Sequence, residues 1–278
     1  MGAIDLDSFS RRSRAIDLTG IDLDAVRAAP PTADALRALQ YMQDIESHTI
    51  IYLRTLLHTR VIDDPEVAHF LSCWFYEEMA HGRALEKFLT AAGVPVVRRQ
   101  RSRAPVAERA EQVVTSLVAR AWPDFAAVHM TWGAINELSV VHGYQRLAER
   151  AAHPVLSELL ARLVRDESRH FDFYFHQASE RLRRPGAARV ARFLVERFWQ
   201  PVGSGVQPDH EVRFIGDYLF SGTAGTAAAL KIDATIRRLP GFEDTRLLER
   251  WLNAARPASA RRALAGARAE LRLQLRDP

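Results

Sequence analysis

Two short motifs in this 278-residue sequence place a glutamate three residues before a histidine: Glu78 with His81, and Glu167 with His170. Residues i and i+3 lie on the same face of a helix, so each pair can bind one metal ion from a single helix. A single Glu-x-x-His motif is weak evidence, because such pairs also arise on solvated helix faces. Two such motifs favour a site with two metal ions.

The motifs belong to a larger unit that occurs twice. Glu46 stands 32 residues before Glu78, and Glu137 stands 30 residues before Glu167, a spacing typical of helical hairpins. Four carboxylates in a core would repel one another unless cations neutralised them, whereas two divalent cations would cancel their charge. The alternative is a polar core network without metal. The predicted metal ligands and catalytic residues are Glu46, Glu78, His81, Glu137, Glu167 and His170.

Helical periodicity recurs along the whole chain, and no stretch alternates apolar and polar residues as a strand would, so the sequence predicts an all-α fold. Asp64-Pro65 and His153-Pro154 are typical helix starts. Each proposed carboxylate ligand lies within an apolar stripe, which predicts a four-helix bundle. The four long helices are predicted near residues 33–59, 64–93, 124–152 and 154–184.

The remaining segments flank this predicted bundle. Residues 1–31 are predicted to form an N-terminal lead-in that ends at Pro30-Pro31, and residues 32–278 a single helical domain. The core bundle would occupy about 33–184 and accessory helices 187–276. The accessory helices are predicted near 187–200, 209–238, 242–255 and 258–275.

The two motif segments support a family resemblance. The sequence WFYEEMAHGRALEKFL, which begins at Trp74, and RDESRH, which ends at His170, resemble the two motif helices of soluble acyl-acyl-carrier-protein desaturases. Those enzymes belong to the ferritin-like di-iron carboxylate superfamily. The resemblance covers about residues 34–182 and is specific only at the two motifs. It implies a ferritin-like four-helix bundle with additional C-terminal helices.

The resemblance also implies an O2-activating site with two iron ions. Glu78 and Glu167 would bridge the ions, Glu46 and Glu137 would be terminal ligands, and each histidine would bind one ion. The implied substrate is a fatty-acyl chain on acyl carrier protein, with an external electron donor such as ferredoxin and a homodimeric assembly. Plant-type desaturases have a threonine where this chain has Val140.

That difference, together with a chain shorter than those enzymes, leaves open a di-iron hydroxylase or N-oxygenase of a small metabolite and an aldehyde-processing oxidase. Two further classes are alternatives to an oxygenase: a non-catalytic iron-storage or iron-handling protein, and a radical-generating subunit that uses Tyr174. Manganese or a mixed manganese–iron pair is an alternative to two iron ions.

Composition and charge limit the kinds of metal site, cellular location and binding partner that are expected. The single cysteine, Cys73, excludes a disulfide framework and all-cysteine metal sites. The longest apolar stretch, 121–141, contains Asp124 and Glu137, so no membrane span is expected. No secretory signal is recognised at the N-terminus. A cytoplasmic location is therefore expected. The net charge of +4 favours acidic partners, but without a recognition-helix motif no nucleic acid is expected. The densest basic run is Arg98, Arg99, Arg101 and Arg103.

Several neighbours of the predicted ligands have two interpretations each. Trp74 and Tyr174 are expected to be core packing, with the tyrosine hydroxyl hydrogen-bonded. Gly133 either leaves space for O2 or substrate or permits a close helix crossing. Glu77 and Asp166 either hold the ligand histidines in place or are exposed.

Overall fold

The computed structural model describes residues 5–57, 59–96 and 124–255. These residues form ten α-helices and no strand, which confirms the predicted all-α fold. No helix among them is long and apolar enough to cross a membrane. The ferritin-like bundle, the domain division and the cytoplasmic location stay predictions.

The helices are numbered in chain order. A short 3₁₀ turn, Arg60–Asp63, joins the third and fourth. The ten are α1 (Leu6–Arg12), α2 (Leu23–Ala28), α3 (Ala33–Leu56), α4 (Pro65–Ala91), α5 (Phe125–Ala151), α6 (Pro154–Leu182), α7 (Ala187–Phe198), α8 (Asp209–Phe220), α9 (Gly222–Ile236) and α10 (Leu247–Ala255).

Local sequence explains where two of the long helices begin. The Asp64 side chain accepts hydrogen bonds from the backbone N–H groups of Glu66 and Val67, and a proline occupies the first turn of α4. His153 caps α6 in the same way, with its ring nitrogen accepting from the Leu156 N–H. Both predicted helix starts are therefore confirmed.

The four long helices pack as two antiparallel pairs, α3 with α4 and α5 with α6. Gly82 of α4 permits close contact with α3, because a Cβ atom there would lie 2.8 Å from Ser47 Oγ. Between the pairs, the rings of Phe70 in α4 and Phe173 in α6 stack with centroids 3.7 Å apart. This packing brings the middles of the four long helices together.

The structure differs from two of the predicted elements. The single helix predicted over 209–238 is divided into α8 and α9 at Ser221, where Gly222 has a φ of +68° that is unfavourable for other residues. Residues 5–31, expected to be a weakly periodic lead-in, contain α1 and α2, whose Phe9 and Val26 are buried. The helix predicted over 258–275 and the basic run from Arg98 to Arg103 lie outside the described residues.

Candidate metal centre

Six buried side chains from α3, α4, α5 and α6 meet in the interior of the protein. They form two overlapping groups of four side chains, and within each group the potential ligand atoms lie within 4.8 Å of one another, close enough to hold a metal ion. Glu78 and Glu167 belong to both groups. The groups are Glu46, Glu78, His81 and Glu167, and Glu78, Glu137, Glu167 and His170.

One nitrogen of each histidine faces the glutamates. His81 Nδ1 lies 3.0 Å from Glu167 Oε1 and 3.8 Å from Glu46 Oε2. His170 Nδ1 lies 3.1 Å from Glu167 Oε2 and 3.3 Å from Glu78 Oε1. The structure thus brings together all six residues that the sequence singled out.

Within the part of the chain that the structure describes, four buried atoms in this cluster have no hydrogen bond of suitable geometry, although two of them, His81 Nδ1 and Glu167 Oε1, lie 3.0 Å apart. They are Glu46 Oε2, Glu78 Oε1, His81 Nδ1 and Glu167 Oε1. An unpaired buried polar atom costs about 1–3 kcal/mol, and four at one place would be a large penalty for the fold. Cations bound between these oxygens and the nitrogen would remove that penalty. The residues present therefore fit a metal centre with oxygen and nitrogen ligands, a set that suits iron, manganese or zinc.

The outer nitrogens of the histidines are also held. His170 Nε2 is 2.7 Å from Glu77 Oε2, and His81 Nε2 is 3.3 Å from Asp166 Oδ2. Such outer carboxylates fix the ring orientation of metal-binding histidines and make them more basic. Glu77 is fully buried and the Asp166 side chain is only 15% exposed. Of the two interpretations of these residues, the structure therefore favours the one in which they orient the histidines over the one in which they are simply exposed.

Three further side chains hold the glutamates, and the sequence did not identify them. Trp74 Nε1 donates to Glu137 Oε1 at 3.1 Å, so Trp74 does more than fill the core. The Tyr144 hydroxyl donates to Glu46 Oε1, and Thr49 Oγ1 donates to Glu78 Oε2 at 3.3 Å. The one available signal was that Trp74 and Tyr144 share the apolar stripes that carry the glutamates.

Tyr174 is fully buried in an aromatic environment. Its ring lies edge-on to Phe70 and Trp74, with centroids 5.1 and 6.1 Å away. Its hydroxyl has no hydrogen-bond partner among residues 5–57, 59–96 and 124–255, so the expectation of a hydrogen-bonded hydroxyl was wrong. Burial, with a smaller contribution from Tyr52, raises the pKa of Tyr174 well above its usual value, so it stays a phenol at neutral pH.

Crowding of the carboxylates determines their ionisation in the metal-free protein. Burial and the charge of Glu167 raise the pKa of Glu78, and they raise that of Glu137 to about 8, although hydrogen bonding by His170 opposes the shift. Burial alone would also raise the pKa of Glu167, but the hydrogen bond from His170, the close contact with His81 and the charge of both histidines lower it. Burial lowers the pKa of each histidine, yet the surrounding carboxylates outweigh it and raise the pKa of both.

A cavity of about 340 Å³ reaches the cluster, and all four proposed glutamate ligands line it. Its other walls mix apolar and polar side chains, with Trp132 and Val206 among the apolar ones. The polar ones include His48, Asn136 and Gln200. A small molecule in this cavity would therefore contact the carboxylates directly.

A second, almost wholly apolar cavity of about 70 Å³ is also lined by Glu46. The accessory helices complete its wall with Phe220 of α8 and Trp251 of α10. The two cavities share Val140 and Val202 as lining residues. An extended molecule could thus place a polar part in the larger cavity and an apolar part in the smaller one.

No family model, no curated protein and no solved structure matches this chain. A fold by itself does not determine an activity. What the protein does must therefore be inferred from the chemistry of the metal centre and its two cavities.

Proposed function

We propose that this protein is a non-haem di-iron oxidase or oxygenase that uses O2 to oxidise an acyl chain, as acyl-acyl-carrier-protein desaturases do. The observation that carries the proposal is the pair of overlapping four-residue groups, which share Glu78 and Glu167 and leave buried ligand atoms unpaired. Two carboxylates common to two adjacent ions are suited to bridging them. Glu46 with His81, and Glu137 with His170, would complete the two sites.

Two bound iron ions would supply the chemistry that couples reduction of O2 to oxidation of a C–H bond. Removing two hydrogens from an acyl chain with O2 yields two water molecules and consumes two protons and two further electrons. An external donor such as ferredoxin is therefore required. Trp74, Tyr144 and Thr49 would keep the glutamates in place throughout, and the cavities would position the chain.

The lining of the cavities supports an acyl thioester as substrate. The smaller cavity is apolar and adjoins Glu46, as the tail of an acyl chain would require. Among the described residues, no lysine or arginine lines either cavity. A free carboxylate would therefore meet no lysine or arginine side chain of the described residues there, whereas a carrier-linked thioester is uncharged and needs none.

A small-metabolite hydroxylase or N-oxygenase is the second candidate. The polar lining of the larger cavity favours it, since Asn136, Gln200 and His48 offer hydrogen bonds that an alkyl chain cannot use. Val140, at the position of the desaturase threonine, lines both cavities.

The decisive experiment has two stages. The number of iron ions per chain is measured first. The anaerobic Fe(II) protein is then mixed with O2 while its absorbance is followed. Fewer than two iron ions per chain, or the absence of a transient absorbance change, would contradict the proposal. Products are next identified by mass spectrometry with free, coenzyme A-linked and carrier-linked acyl chains. An alkene supports desaturation and an alcohol a hydroxylase. Iron oxidation without any organic product, in a large shell of subunits, would indicate iron storage.

Metal binding is expected to release protons. In the metal-free protein the raised pKa of Glu137, about 8, and the raised pKa values of both histidines mean that these groups hold protons at neutral pH. Metal ions must displace those protons, so affinity should fall as the pH is lowered from about 8 to about 6. Titration calorimetry in buffers of different ionisation enthalpy measures the release. Affinity that does not change with pH would contradict the prediction.

Filling the smaller cavity is expected to shorten the acyl chain that is accepted. Gly143 of α5 lines this cavity, and a Cβ atom there would make ordinary contacts of 3.5 Å with Met42 and 3.6 Å with Leu219. Gly143→Leu should retain two metal ions per chain while turnover of long chains falls at least about tenfold, the lower end of the discrimination that one methylene provides. Gly143→Ala is the matched control. Equal losses on short and long chains would argue against this cavity as the tail site.

A further inference from the structure

The outer hydrogen bonds of the two histidines converge on Arg169. Its guanidinium donates to Glu77 Oε1 at 2.6 Å and also to Asp166. Glu77 is the outer partner of His170, and Asp166 is that of His81. One arginine therefore links the two carboxylates that orient both histidines.

Phe9 of α1 covers this arginine. Arg169 Cζ lies 5.6 Å from the centre of the Phe9 ring, and Phe9 is only 2% exposed. The same ring lies 6.4 Å from His170 and 5.2 Å from Phe70. An aromatic ring within about 6 Å of a guanidinium attracts it, and the Arg169 side chain is only 19% exposed. Phe9 thus packs over the outer side of the histidines, away from the glutamates.

The attachment of α1 depends on few contacts. A seven-residue helix is too short to be stable by itself, so α1 is held by its packing on α4. Besides Phe9, Ser10 contributes: its Oγ contacts His69 Nε2 and lies 3.8 Å from Cys73 Sγ. Ser10, which attaches α1 to α4, therefore directly follows Phe9, which covers Arg169.

We propose that α1 is a cover for the histidine side of the metal centre, and that Phe9 is a positioning residue that holds Arg169 and, through it, Glu77 and Asp166. This inference rests on the proposed function insofar as metal must bind. Docking of α1 and binding of metal are then coupled, and such coupling is reciprocal. Bound metal keeps α1 docked, and docked α1 slows loss of the metal.

Cys73 provides the measurement, because it is the only cysteine of the chain and it contacts α1 through Ser10. Its alkylation rate reports undocking of α1, and transfer of metal to a chelator reports retention. Metal loading should slow alkylation in the wild type. Phe9→Ala should accelerate alkylation and should release metal about tenfold faster, the lower end of the change in affinity that follows loss of an outer partner, because Phe9 acts on those partners through Arg169. Phe9→Leu, which stays apolar but lacks the ring, should release metal faster while Cys73 is alkylated at the wild-type rate.

Val26→Ala is the control for general destabilisation, since it removes a fully buried side chain from α2. It should release metal at the wild-type rate. The inference is overturned if the wild type binds two metal ions but Phe9→Ala releases them no faster than Val26→Ala. It is equally overturned if Phe9→Ala leaves Cys73 alkylation unchanged. A wild-type protein that binds no metal would instead overturn the proposed function.

Discussion

Glu167→Gln is expected to abolish binding of both metal ions, whereas Glu137→Gln is expected to abolish binding of only one. Glu167 belongs to both four-residue groups, while Glu137 belongs to one. The loss at Glu167 should exceed the roughly 10- to 100-fold weakening that follows removal of an outer partner. Metal content per chain, measured by mass spectrometry after gel filtration, should be two for the wild type, one for Glu137→Gln and close to zero for Glu167→Gln.

The same pair should differ in stability without metal. The folded-state pKa of Glu137 is raised to about 8, so its stabilising contribution is present below the unfolded-state pKa and is lost as the pH rises through about 8. Glutamine stays neutral throughout, so metal-free Glu137→Gln should melt at a higher temperature than the metal-free wild type at pH 8. Glu167 has a lowered pKa, so Glu167→Gln should melt at a lower temperature.

Glu180→Gln is the matched control for both variants. Glu180 also lies on α6, where it forms an exposed ion pair with Arg183. Its replacement should change neither metal content nor, appreciably, melting temperature. Equal metal contents in Glu137→Gln and Glu167→Gln would contradict the assignment of Glu167 as a shared ligand.

The pairing of each motif glutamate with its histidine could be predicted because it follows from local periodicity. Glu78 and His81 share a helix face whatever surrounds them, and the same holds for Glu167 and His170. Asp64-Pro65 and His153-Pro154 gave the starts of α4 and α6 for an equally local reason. Helical spacing was thus sufficient to predict which faces carry the site.

The partners of these residues could not be predicted, because they depend on how one helix is rotated against another. Glu77 contacts His170, which is 93 positions away, and Trp74 contacts Glu137, which is 63 positions away. Helix α1 was missed because seven residues are too few to show a period. Its Phe9 is buried by tertiary contacts rather than by an amphipathic pattern.

Gly133→Ala is expected to destabilise the protein and to weaken one metal site selectively. A Cβ atom at Gly133 would lie 2.5 Å from Tyr174 Cε1, and the tyrosine ring is enclosed by Phe70 and Trp74. Overpacking of this kind costs about 1–3 kcal/mol, which lowers the melting temperature by about 2–5 °C in a chain of this size. Gly133 lies one helical turn before Glu137, and Tyr174 lies one turn after His170. Displacement of the Tyr174 ring should therefore disturb the metal site that contains Glu137 and His170 before it disturbs the other site.

A double-mutant cycle with Tyr174→Leu tests the cause. If close helix packing explains Gly133, Gly133→Ala should be much less harmful once the ring is removed, and metal titration of the single variant should show one weakened site. Gly143→Ala, on the same helix but with ordinary contacts, should have little effect. If Gly133 instead provides space for substrate, since it also lines the larger cavity, Gly133→Ala should retain stability and both metals while turnover falls. The Cβ contact with Tyr174 makes the packing result the expected one.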